Sequence, residues 1–167
     1  MAEHILAALV EHKPGVLYRV SNMFRRRNFN IESITVGVSE VKDLARMTIT
    51  VRGDELTVEQ VIKQLQKLVD VIKVSRLNPD RSVVRELALI KIHTSDSKAK
   101  GDVVNYANIF RGRIVDVSRD SMIVEITGSP DKIDAFVELM RSYGIKELAR
   151  TGVVAMSRGL KSLKVEE

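Results

Sequence analysis

The sequence predicts an α+β protein made of two tandem βαββαβ units, each an antiparallel four-stranded sheet with two helices on one face. Segments that alternate apolar and polar residues are interleaved with segments whose apolar residues recur at three- and four-residue steps. The order strand–helix–strand–strand–helix–strand occurs once before the turn cluster Asn78-Pro79-Asp80 and again after it. The chain has 167 residues, 44% of them hydrophobic, which suits one ordinary domain or two small ones with packed cores. The expected division is a first domain over 1–78, a second over 79–160, and a loose polar tail over 161–167.

In the first unit a strand is predicted over 3–11, with Ile5, Ala7 and Leu9 on one face and Leu6, Ala8 and Val10 on the other. Pro14-Gly15 opens a helix predicted over 14–27, whose buried face is Val16, Leu17, Val20 and Phe24. A second strand follows over 29–38. The third, over 44–52, turns Ala45, Met47, Ile49 and Val51 inward and Arg46, Thr48, Thr50 and Arg52 outward. A turn at Gly53-Asp54 precedes an amphipathic helix marked by Val58, Val61, Ile62, Leu65, Leu68 and Val69, and a strand over 71–77 closes the unit.

The second unit repeats the order. Strands are predicted over 87–93, 113–118, 121–127 and 147–155. One helix carries Val103, Val104, Ala107 and Phe110 and ends at Gly112; the other begins at Ser129-Pro130-Asp131 and carries Ile133, Phe136, Val137 and Met140. In such a unit the sheet face away from the helices is bare, and sheet edges are exposed. Pairing into a homodimer is the economical way to cover them.

Composition excludes several classes of function. There is no cysteine, hence no disulfide, thiolate nucleophile or cysteine-based metal site, and a cytoplasmic setting is expected. The apolar run 5–10 is too short to span a bilayer and follows Glu3 and His4 rather than a basic segment, so no signal peptide or membrane anchor is expected. No HxxxH spacing, glycine-rich phosphate loop or dinucleotide fingerprint is present. No catalytic residue and no metal site are therefore predicted, and His4 and His93 read as surface residues of strands. The net charge of +5 would suit a nucleic-acid binder, but the acidic residues are interleaved with the basic ones. Aromatic content is only 4%, and Thr48 and Thr50 stand where an RNA-recognition sheet needs stacking rings. No nucleic-acid partner is expected. The dense cluster Arg25-Arg26-Arg27 complements the negative end of its helix or meets a partner protein.

The chemistry centres on the turn after the first strand. Free N–H groups on Gly15, Val16 and Leu17 and the helix dipole make a site suited to a carboxylate, worth roughly 0.3–1 kcal/mol when exposed and up to about 2 when partly buried. The expected ligand is a free amino acid; the alternative is a strand-to-helix turn that binds nothing, since Pro-Gly is common at helix starts.

An ordered set of segments runs along the chain: Pro14-Gly15-Val16-Leu17 with Arg19-Val20, Asn30-Ile31-Glu32-Ser33-Ile34-Thr35-Val36 and Arg46-Met47-Thr48-Ile49. Gln64-Leu65 with Lys67-Leu68-Val69, Arg85-Glu86, Phe110-Arg111-Gly112 with Ile114-Val115-Asp116-Val117, and Ala149-Arg150-Thr151-Gly152-Val153-Val154 complete it. On these segments the first unit resembles an ACT domain, and nearly the whole chain, residues 3 to about 159, resembles the small regulatory subunit of acetolactate synthase. The resemblance implies no catalysis by this chain but a catalytic large subunit as partner, which joins 2-oxoacids with thiamine diphosphate, magnesium and FAD in branched-chain amino acid biosynthesis. It also implies that the small subunit activates that partner and confers feedback inhibition, usually by valine. The effector is expected between two ACT units, with His12, Gly15, Val16 and Leu17 from one copy and Asn30 and Ile31 from the other. The chain departs from the family pattern at His12, where asparagine or a similar polar residue is usual. A neutral imidazole can accept from an ammonium, a protonated one repels it, and the alternative is that His12 only shapes the turn. A free-standing amino-acid sensor with another client is the competing reading.

Overall fold

The structure, a computed structural model, describes residues 2–164. The elements run β1 (Ala2–Glu11), α1 (Val16–Arg26), β2 (Ile31–Val38), β3 (Leu44–Gly53), α2 (Glu55–Gln66), β4 (Val71–Leu77), β5 (Ser82–His93), α3 (Ser97–Ile109), β6 (Arg113–Val117), β7 (Ser121–Gly128), α4 (Pro130–Met140), β8 (Ile145–Arg150) and β9 (Val154–Ser157). A single 3-10 turn over Pro79–Arg81, capped by the Asn78 side chain, precedes β5. The class is the predicted one: α+β, with two antiparallel sheets whose strand orders, β2-β3-β1-β4 and β6-β7-β5-β8, are those of ferredoxin-like units.

The chain forms two compact units. One is Arg85–Gly152; the other takes the described residues up to Val84 and from Val153 onward. This differs from the division expected from the turn cluster at 78–80, from the second domain expected to reach 160, and from the loose tail over 161–167. β5 already begins at Ser82, and the chain after Gly152 packs back on the first sheet. Of the expected tail, Leu163 is buried and residues 165–167 lie outside the described residues.

In the first unit Leu6, Ala8 and Val10 of β1 and Met47, Ile49 and Val51 of β3 meet Val16, Val20 and Phe24 of α1 and Val58, Val61 and Leu65 of α2. α2 is capped by Asp54, whose carboxylate accepts from Thr57 N–H and is held below the usual range by its Thr57 hydrogen bonds. The opposite sheet face is not bare. Ile5, Ala7, Leu9 and Leu77 are covered by Val153, Ala155 and Leu163. Thr48 and Thr50, expected outward-facing, are therefore 2% and 1% exposed. Polar bonds fix the covering strand: Thr35 Oγ1 donates to Val153 O at 2.9 Å and Arg46 Nη2 to Ala155 O at 2.8 Å. The strand expected over 147–155 is thus two, β8 and β9, broken near Gly152 at φ 82°.

His4 is buried rather than on the surface. Arg76 Nη2 donates to its Nδ1 at 2.8 Å, so Nε2–H donates to Gly53 O at 3.0 Å, and Arg76 is held in turn by Glu55.

In the second unit Ala88, Ile90 and Ile92 of β5 and Met122, Val124 and Ile126 of β7 pack on Val103 and Ala107 of α3 and Ile133, Phe136 and Met140 of α4. Arg150 on β8 donates two bonds of 2.8 Å to the buried Glu86 carboxylate, a bidentate pair that raises the Arg150 pKa further.

Candidate functional site

β1 is the central scaffold of the candidate site. Its last residues lie between β3 and β4, and two bonds aim the chain as it leaves: Glu11 N–H donates to Asp70 O at 2.9 Å and His12 N–H to Asp43 O at 2.8 Å. Lys13-Pro14-Gly15 then forms the turn. The helix starts at Val16, later than the predicted 14, so Pro14 belongs to the turn and Gly15 is the N-cap at φ 86°. That conformation strains any residue with a Cβ, which is the physical reason for glycine here. A Cβ built on Gly15 would meet nothing within 4 Å, so the space in front of it is open.

The first turn of α1 is left unsatisfied. The first bond into the helix is Arg19 N–H to Gly15 O at 3.0 Å, Gly15 supplies no side-chain cap, and no acidic residue lies in that turn. The N–H groups of Val16, Leu17 and Tyr18 have no acceptor among the described residues. The free donors expected on Gly15, Val16 and Leu17 thus extend one residue further, to Tyr18, because the helix begins later. They point out of the positive end of the dipole. Of the expected buried face, Val16, Val20 and Phe24 are in the core, whereas Leu17 is 48% exposed beside the open turn.

An ion cluster missed from the sequence holds the turn. The Asp70 side chain is buried and takes Lys13 Nζ at 2.9 Å and Arg19 Nη1 on its other oxygen; Lys13 also meets Glu11. The Lys13 and Arg19 hydrogen bonds hold the Asp70 carboxyl below its ordinary range, and the Glu11 and Asp70 bonds raise the Lys13 ammonium. Nothing local signals this arrangement, since Asp70 stands far along the chain from both partners.

Asn30 and Ile31 lie elsewhere. Asn30 is exposed, with Nδ2 donating to Glu32 Oε1 at 2.9 Å, and Ile31 packs partly on the core. Ile31 pairs with Val51 on β3, and Val51 pairs with His4 on β1, whereas the turn follows Glu11, paired with Leu44. From His4 to His12 along a strand is about 26 Å at a rise of 3.3 Å per residue. One chain therefore brings His12, Gly15, Val16 and Leu17 together, and Asn30 with Ile31, but sets the two groups at opposite ends of the sheet. Among the described residues no group of three or more metal-ligating side chains occurs, and no helix is long and apolar enough to cross a membrane.

An antiparallel βαββαβ unit with a glycine-capped turn between β1 and α1 defines an ACT-type protein. Residues 6–73 match the family described as "AHAS small subunit-like ACT domain", and residues 85–159 match "Small subunit of acetolactate synthase". The "Probable acetolactate synthase small subunit" of Methanothermobacter thermautotrophicus is 59% identical over 96% of this chain and 95% of its own length. That of Archaeoglobus fulgidus is 62% identical over 95% and 99%. The crystal structure of the acetolactate synthase small subunit of Thermotoga maritima, 47% identical, superposes with a TM-score of 0.89 over 95% of this chain and 99% of that one. The chain belongs to the acetolactate synthase small-subunit family, and its partner is accordingly a catalytic large subunit.

Proposed function

We propose that this chain carries no catalytic site of its own, raises the activity of the catalytic large subunit, and lowers it again when valine binds between two ACT units. Thiamine diphosphate, magnesium and FAD would reside on the large subunit. The observation that carries the reading is the division of the candidate residues into two groups that one chain holds apart.

A second copy reunites them. β2 is an edge strand, Val38 at its end pairs with Ala45, and Ala45 pairs with Val10, next to the turn. A copy added antiparallel along β2 sets its own Ile31 opposite this chain's Val38, hence at this chain's turn. The N–H groups of Val16, Leu17 and Tyr18 then take the effector carboxylate. The Asn30 side-chain oxygen from the other copy accepts from the ammonium, and Leu17 and Ile31 contact the aliphatic side chain. A ligand that touches both copies favours the dimer geometry that closes the seam, and a coupling of about 1–3 kcal/mol corresponds to a 5- to 150-fold change in binding affinity between the two states.

The test is to assay the purified large subunit alone and with this protein across a valine titration. Higher activity with the protein, falling as valine rises, is expected. Unchanged activity, or inhibition by valine without the protein, would remove the proposal.

A further inference from the structure

Between α1 and α2 lies an open groove of about 390 Å3 whose lining includes Arg19, Arg26, Arg27 and Lys67 over the apolar Met23 and Leu68. Among the described residues no carboxylate lines it. Arg19 is engaged by Asp70, and Arg27 Nη2 donates to Gln64 Oε1 at 3.3 Å; Arg26 and Lys67 have no acceptor among the described residues. Two helix C-termini, each equivalent to about half a negative charge, neutralise only part of four cations. The convergence of like charges from two helices gives the groove a positive field that attracts an anion.

From this groove we infer the docking site of an acidic segment of the catalytic large subunit, with an apolar residue reaching Met23 and Leu68. The inference rests on the family's large-subunit partner and on the regulatory role proposed above. Charge selects the occupant: the groove presents donors and cations and lacks the acidic groups a basic segment would need. Its place in the fold adds a route for regulation. α1 spans about 16 Å at 1.5 Å per residue. Its first turn faces the effector seam and its last turn, with Arg26, lines the groove. Any tilt of α1 on effector binding is thereby presented directly to the docked partner.

The experiment titrates the full-length protein into purified large subunit by calorimetry, at low and high salt. The variants are R26E/K67E, R26Q/K67Q, and K98E/R119E as a control that makes the same change in net charge on the other unit. R26E/K67E is expected to weaken association by about tenfold or more and R26Q/K67Q by less, with K98E/R119E within about twofold of the parent and the parent's affinity falling with salt. R26E/K67E should still bind valine with the parent's affinity, which reports an intact first unit. Parental affinity in R26E/K67E, or an equal loss in K98E/R119E, overturns the docking site while leaving valine regulation standing. Loss of nucleic-acid retention in R26E/K67E with unchanged large-subunit affinity also overturns it. Failure of the parent protein to associate with the large subunit at all removes both proposals.

Discussion

Lys13 Nζ lies 2.9 Å from Oδ1 of Asp70, and with Arg19 on the other oxygen that contact clamps the turn between β1 and α1 to the start of β4. The clamp leaves the first N–H groups of α1 aimed outward and free, which a carboxylate-binding turn requires. Because the Asp70 carboxyl is held below its ordinary value, its contribution to stability is complete above the unfolded-chain pKa of about 3.9 and is lost as pH falls through the lower folded value. Asp70→Asn is expected to lower the melting temperature at pH 7 and to flatten the acid side of the stability profile below about pH 4. Melting curves from pH 7 to 2 check this; parallel profiles for the two proteins would show that Asp70 is not clamped.

Gly15 permits a separation of strain from charge. Gly15→Ala places a Cβ at φ 86° and should cost about 1–2 kcal/mol of stability. Gly15→Asp tolerates that conformation better, yet puts a negative charge where the effector carboxylate is proposed to sit. Valine affinity should fall further in Gly15→Asp, by at least about tenfold, than in Gly15→Ala. Calorimetry with valine decides; a loss that tracks stability rather than charge counts against the site.

Among the described residues the Asn30 side chain bonds to Glu32 and to nothing in the core. Asn30→Ala should leave the unfolding free energy within about 0.5 kcal/mol of the parent, as for other surface changes. It should also leave the large subunit active at valine concentrations that inhibit with the parent protein. Normal inhibition in this variant would exclude Asn30 from the effector seam.

Leu163 is buried against the first sheet. Leu163→Ala is expected to cost about 2 kcal/mol, the low end for a buried leucine, because Leu163 lies outside any helix or strand and its segment can close part of the cavity. Chemical denaturation monitored on the first unit checks it; a cost near zero would mean that the segment after β9 contributes nothing to the packing.

Much of this was legible in the residues alone. The alternation in β3 and the three- and four-residue steps in α2 reveal themselves locally, because each periodicity reflects one element meeting one core. Gly15 was readable too, since only glycine enters that turn without strain. The exact start of α1 is not legible, because Pro14 is equally at home in a turn and in a first helical turn. The burial of His4 is not legible in the sequence, because its partners, Arg76 and Gly53, are remote along the chain.

By itself the sequence determined the two βαββαβ units, the glycine turn and the absence of thiol chemistry, all properties of short windows or of composition. Tertiary structure alone decided that Asp70 meets Lys13 and Arg19, that Val153, Ala155 and Leu163 cover the first sheet, and that Asn30 lies at the far end of that sheet from Gly15. Those outcomes depend on strand order and register, which join residues many tens of positions apart, and no local periodicity encodes which distant residue will be the neighbour.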